Sequence, residues 1–195
     1  MELKEVRDEL INLPSVDSHL NRLEERWNRL HKVTESHLSS KLDPLQKKIL
    51  AHKLQEGHHH LHTIKQNKLL QEMLRQYSHY LVELKLTLFK GDTAKAKVLT
   101  NMLTKDETLN LRQAIANVIN FQDSIKSFSR QFKEVSEILE DHLPLEEKIM
   151  LLDPTHQYSF KYLLMHSEKQ KAIVRDLGRH FLNISKQISV KNARR

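Results

Sequence analysis

The sequence predicts an all-α protein, an elongated antiparallel helical bundle of coiled-coil hairpins. Three observations predict it. With 3 Gly and 4 Pro in 195 residues, the chain lacks the turn residues that a sheet protein needs. Several long stretches place apolar residues at alternating spacings of three and four, the heptad seam along which helices pack. The breaks between those stretches are few and carry helix-start chemistry. A hydrophobic share of 38% against 29% charged suits a narrow bundle, which exposes much surface per residue. The length fits a single elongated helical domain spanning 1–195, with four main helices at about 15–41, 44–90, 105–141 and 154–190 plus short ones. At the rise of an α-helix these span roughly 50–60 Å.

Leu13-Pro14-Ser15 is the first break, so a short helix over roughly 2–12 precedes it. Ser15 is a good N-cap and Asp17 suits the positive helix end. Val16, Leu20, Leu23, Trp27, Leu30, Thr34 and His37 then form the first seam. Leu42-Asp43-Pro44 starts the second main helix, with Asp as cap and Pro where its missing N–H costs nothing. Its apolar set Leu50, Leu54, Leu61, Ile64 is one residue out of phase with Leu70, Leu74, Tyr77, Leu81, Leu84, Leu88. The expected point of adjustment is Gly57-His-His-His60, as a kink, break or unwound stretch. Lys90-Gly91-Asp92 ends this segment.

A short helix over roughly 93–103 follows, and Thr104-Lys-Asp-Glu107 matches a capping box for the next. That helix carries the cleanest seam, Leu111 to Leu139 through Ala114, Val118, Phe121, Ile125, Phe128, Phe132 and Val135. Leu143-Pro144 interrupts it, a short acidic turn follows, and Leu152-Asp153-Pro154 repeats the earlier start. The last seam runs through Phe160, Leu163, Ser167, Gln170, Val174, Leu177, Phe181, Ile184 and Ile188. Two helix–Leu-Asp-Pro–helix units, 15–90 and 105–190, raise an internal duplication in which Trp27 aligns with Phe132 and Leu30 with Val135. Any two heptad helices align in this way, so the duplication is the weaker reading.

The chemistry of catalysis is thin. Cys is absent, the three Gly are scattered, and no Gly-x-Ser-x-Gly elbow occurs. The chain is expected to be no enzyme and to need no cofactor or small-molecule substrate. The one ligand-rich run is Glu56-Gly-His58-His59-His60-Leu-His62. His58 and His62 share a helix face, and Glu56-x-x-His59 matches half of a carboxylate-bridged metal site. The only counterpart, Asp153-x-x-His156, stands at a helix start, so the ligand set is incomplete and no metal is expected. The 13 His can add positive charge in mild acid. No segment has the apolar length of a membrane span, and the charged start lacks a signal core, which makes an intracellular, cytoplasmic location the default expectation.

Charge is unevenly placed. The formal net charge is +7, and Lys169, Lys171, Arg175, Arg179, Lys186, Lys191, Arg194 and Arg195 against Asp176 account for all of it. An acidic stretch from Glu134 to Glu147 exists to pair with them. A hairpin turning near residue 148, however, would set 169–186 against 110–127, which holds Arg112, Asp123 and Lys126. This basic end is therefore the candidate surface for an anionic partner: nucleic acid, an anionic membrane or an acidic protein. The plan of heptad hairpins without catalytic motifs resembles the small coiled-coil subunits of cytoskeletal, tethering or kinetochore assemblies. It implies a non-enzymatic scaffold or adaptor that binds protein partners, or a copy of itself.

Overall fold

The computed structural model describes residues 2–37, 40–105 and 110–193, with the side chains of 37, 151–152 and 190–193 left aside. Among the described residues every regular element is an α-helix: α1 (Leu3–Ile11), α2 (Asp17–His37), α3 (Pro44–Lys65), α4 (Asn67–Lys90), α5 (Thr93–Lys105), α6 (Leu111–Leu139), α7 (Leu145–Leu152) and α8 (Thr155–Ala193). The all-α helical bundle expected from the seams is present.

Local side-chain chemistry sets the starts. The Ser15 hydroxyl accepts from the Asp17 N–H at 3.2 Å. Asp43 accepts from the Gln46 N–H at 2.8 Å while the Gln46 side chain reaches back to the Asp43 N–H, with Pro44 in the first helical position. Asp153 accepts from the Thr155 N–H at 3.0 Å, so both Leu-Asp-Pro elements start helices. Gly91 closes the α4–α5 turn at φ 76°, where a side chain would be strained.

Four boundaries depart from expectation. The 44–90 segment is two helices, and the break falls at Gln66 rather than at Gly57–His62. Gly57 lies inside α3 because the Trp27 indole packs against the backbone where a Cβ would stand. The capping box at Thr104–Glu107 is not the start of α6. Thr104 is still in α5, with its hydroxyl donating to the Thr100 carbonyl at 2.8 Å, while Asp106 and Glu107 lie outside the described residues. Asn110 caps α6 instead, accepting from the Arg112 N–H at 2.9 Å, so the helix begins at Leu111 and not at 105. The acidic turn after Leu143-Pro144 is the eight-residue helix α7, whose first turn places Glu146 and Glu147 at the positive helix end. The first main helix is described as far as His37, and residues 40 and 41 stand in a turn, so it stops short of 41.

The chain divides into two compact units, each assembled from separated segments. Unit 1 comprises Met1–Pro14, Asn67–Ile119 and Glu168–Arg195; unit 2 comprises Ser15–Gln66 and Asn120–Ser167. In unit 2 the core gathers Leu20, Leu23, Trp27 and Leu30 of α2 with Leu50, Leu54 and Ile64 of α3, Phe121 to Leu139 of α6, and Phe160 and Leu163 of α8. Its aromatic centre is edge-on: Trp27 to Phe128 at 5.1 Å and Phe128 to Phe160 at 5.6 Å. The Trp27 indole N–H donates to the Leu54 carbonyl at 3.2 Å, the partner a buried indole needs. In unit 1, Leu3, Val6 and Leu10 join Leu70 to Leu84, Leu99, Ala114, Val118, Val174, Leu177 and Ile184. Tyr77 belongs to this core, and burial pushes its hydroxyl above the usual tyrosine range. Within unit 2 the pairs Gln122–Ser167, Phe128–Phe160 and Phe132–His156 centre the α6–α8 hairpin on about residue 144, not 148.

Candidate functional site

The basic residues of α8 do not form one patch. Lys171, Arg175 and Arg179 follow one another at spacings of four, and Lys186 stands seven residues on from Arg179, so these share a face of the helix. Leu182, 60% exposed, lies on the same face between Arg179 and Lys186. Lys169 is exposed on another side, and Lys171 is half-buried. Arg179 is paired with Asp176 one turn back. The backbone of Lys191 is in α8 but its side chain is not described, and Arg194 and Arg195 lie outside the described residues.

Charge divides along the units. Unit 1 holds 18 basic and 11 acidic residues, whereas unit 2 holds 14 of each. Two carboxylates of the acidic stretch are engaged inside unit 2. Glu134 pairs with Lys53, which holds its carboxyl below the usual carboxylate range, and Glu147 accepts from Arg29 at 2.9 Å. Histidine shows the opposite bias, with 11 of the 13 in unit 2.

The histidine-rich run does not converge on a metal site. Among the described residues no group of three His, Asp or Glu side chains could hold an ion. Glu56 pairs with His52 at 2.8 Å and accepts a hydrogen bond from Gln131. His58 reaches across to α2, its Nε2 lying 3.0 Å from His31 Nδ1. His156, the other half of the sequence pairing, faces Arg26. Burial, and after it the neighbouring cations, lower the pKa of His58 and His156 below the usual imidazole range; His19 and His60 are lowered mainly by burial as well.

Arg26 is the residue that sequence reasoning missed. From α2 it donates to the Met150 carbonyl at 3.4 Å, the Asp153 carbonyl at 3.3 Å and the Asp153 carboxylate at 3.1 Å. The same guanidinium lies 2.9 Å from His156 Nδ1, which must accept, since arginine only donates. His156 stacks on Phe132 with centroids 4.7 Å apart. Arg26 therefore ties α2 to the turn between α7 and α8. A second unforeseen element is an amide layer buried in unit 1. Asn67 and Gln170 exchange two hydrogen bonds of 2.8 and 2.9 Å, and Gln170 also donates to Gln71 at 2.8 Å. The sequence signal was present here, because Gln170 occupies a seam position where an apolar residue is the rule.

Two open grooves complete the inventory. In unit 2 a groove of about 850 Å³ runs between α6 and α8. Its floor is Phe132, Phe160 and Leu164; Lys126, Arg130, Lys133 and Lys161 line one end, and Glu137, Glu140 and Asp141, together with Lys148, the other. In unit 1 a groove of about 680 Å³ lies between the start of α1 and the end of α4, lined by Leu3, Val82, Leu86, Leu88 and Phe89. Compared with known protein families, curated proteins and solved structures, the chain matches none of them.

Proposed function

We propose that the chain is a non-enzymatic scaffold or adaptor, a subunit of a larger protein assembly, and that it holds a helical segment of a partner protein in the α6–α8 groove of unit 2. The observation that carries this reading is the polarity of that groove: an apolar floor with four cations at one end and three carboxylates against a single lysine at the other. An amphipathic helix laid in such a groove buries its apolar face on Phe132, Phe160 and Leu164, and the walls fix its direction. Native complexes recovered from the source cell test the reading. A stoichiometric protein partner is expected, released by Arg130→Glu with Lys161→Glu while the fold is kept. Recovery of the chain free of other proteins, or a complex indifferent to those reversals, overturns it.

A second reading has its own support in the concentration of the charge excess in unit 1. The exposed Arg175, Arg179 and Lys186 would then contact phosphates of a nucleic acid, without sequence preference and with steep salt dependence. Replacing the three by Glu should abolish binding at low salt. Undetectable binding by the unaltered chain removes this reading.

A further inference from the structure

We infer that the α4–α5 turn region of unit 1 docks on an anionic membrane surface, with Phe89 entering the boundary between headgroups and acyl chains. This goes beyond the adaptor reading and does not rest on it, since it uses residues of the other unit.

The first observation is an apolar cluster left in water. Phe89 is 90% exposed and Leu86, one turn earlier, is 46% exposed. Lys85, Leu86 and Phe89 lie on one face of α4, at spacings of three and four, above the buried Val82. That face lines the apolar groove closed by Leu3 of α1. An exposed phenylalanine beside an unfilled apolar groove marks a surface that meets something.

The second observation says what it meets. Lys85 lines the groove, Lys90 follows Phe89 at the end of α4, and Lys95 and Lys97 lie in the first turns of α5, all exposed and none in an ion pair among the described residues. Lys4 lines the groove as well. Over residues 2–4 and 82–98 these five lysines stand against three carboxylates, Glu2, Glu83 and Asp92. Asp92 caps α5 through the Lys95 N–H at 3.2 Å, Glu2 is held in the capping box of α1, and Glu83 pairs with His79 at 3.3 Å. An excess of lysines beside exposed apolar side chains at a helical turn complements an anionic lipid surface: the lysines meet headgroup charge and the apolar side chains leave water. No helix among the described residues is long and apolar enough to cross a membrane, so the contact is peripheral. A nucleic acid would use the same lysines, but it has nothing to offer the aliphatic groove of Leu3, Val82 and Leu86.

The experiment uses the full chain and sedimentation with vesicles of phosphatidylcholine alone or mixed with phosphatidylserine. Binding is expected to the mixed vesicles only, weakening with salt. Each lysine among Lys85, Lys90 and Lys95 changed to Ala should weaken it roughly fivefold. Phe89→Ser should weaken it on the order of tenfold. Leu69→Ser, an exposed leucine at the other end of α4, should leave it unchanged, and thermal unfolding of each variant confirms the fold. Absent binding to mixed vesicles overturns the inference, as does binding indifferent to Phe89→Ser. It also fails if a single-stranded oligonucleotide, at the same salt, binds more tightly than vesicles and depends on Phe89.

Discussion

Gly57 and Gly178 both lie within α-helices, yet alanine should move stability in opposite directions at the two positions. Alanine gains about 1 kcal/mol over glycine in a helix interior. At Gly178 nothing stands within 4 Å of where the Cβ would be, so that gain is realised in full. The midpoint of thermal unfolding should rise by about 2–4 °C. At Gly57 the Cβ would lie 2.7 Å from Trp27 Nε1 and nearer still to two ring carbons. Trp27 is fully buried, hydrogen-bonded to Leu54 and set edge-on against Phe128, so it has nowhere to retreat. Overpacking of this kind costs about 1–3 kcal/mol, to which the lost indole hydrogen bond adds about 1 kcal/mol. After the propensity gain the net loss is about 1–3 kcal/mol, a midpoint lowered by several degrees. Far-UV circular dichroism melts of the two variants provide the assay, and Trp27→Phe in the Gly57→Ala background should recover part of the loss. If Gly57→Ala stabilises as Gly178→Ala does, the indole does not rest on the α3 backbone and the explanation for that glycine is wrong.

Three further outcomes are expected. Stability should fall as pH is lowered through the range just below 6.5: His19, His58, His60 and His156 have folded pKa values below the unfolded one, so the unfolded chain takes up protons first. Melts across that range check it, and His156→Phe, which removes the proton site facing Arg26 and Asp153, should flatten the dependence; a flat profile in the unaltered chain refutes it. Arg26→Ala should lower the unfolding midpoint by removing the donor to the Met150 and Asp153 carbonyls and to one Asp153 carboxylate oxygen, the other still accepting from Thr155, with hydrogen exchange rising first around 150–156; exchange unchanged there would count against the anchoring role. Asn67→Leu and Gln170→Leu should each destabilise by about 1–3 kcal/mol, while the double variant recovers most of the loss, a coupling that chemical denaturation of the double-mutant cycle measures.

The heptad seams were legible because packing against any apolar neighbour imposes the same periodicity. Residues 111–139 and 160–188 form helices on those seams, and the Leu-Asp-Pro starts read correctly because a cap acts within three residues. Gly57 misled for the converse reason. Local propensity marks it as a weak point, whereas its role is set by Trp27, thirty positions away in sequence and lodged against its backbone. Gln66, where the chain does break, carries no signal beyond the phase slip around it. The basic residues of α8 were visible as a composition bias, but their division among faces and the pairing of Arg179 with Asp176 required coordinates. The exposure of Phe89 could not have been read from sequence, since a phenylalanine at the end of a seam is ordinarily core.

The interleaving of the two units constrains how the chain reaches its fold. His19 meets Ser159 across 140 positions, and Asn67 meets Gln170 across 103. Each core needs a part of α8, Phe160 and Leu163 in one and Val174 to Ile184 in the other. During synthesis unit 2 cannot close until Phe160 and Leu163 have left the ribosome, nor unit 1 until Val174 to Ile184 have, so neither core can form before α8 emerges. The nascent amphipathic helices must wait with their seams open, exposed to one another and to foreign helices. Loss of α8 from Phe160 to Ile184 should therefore leave both cores unclosed.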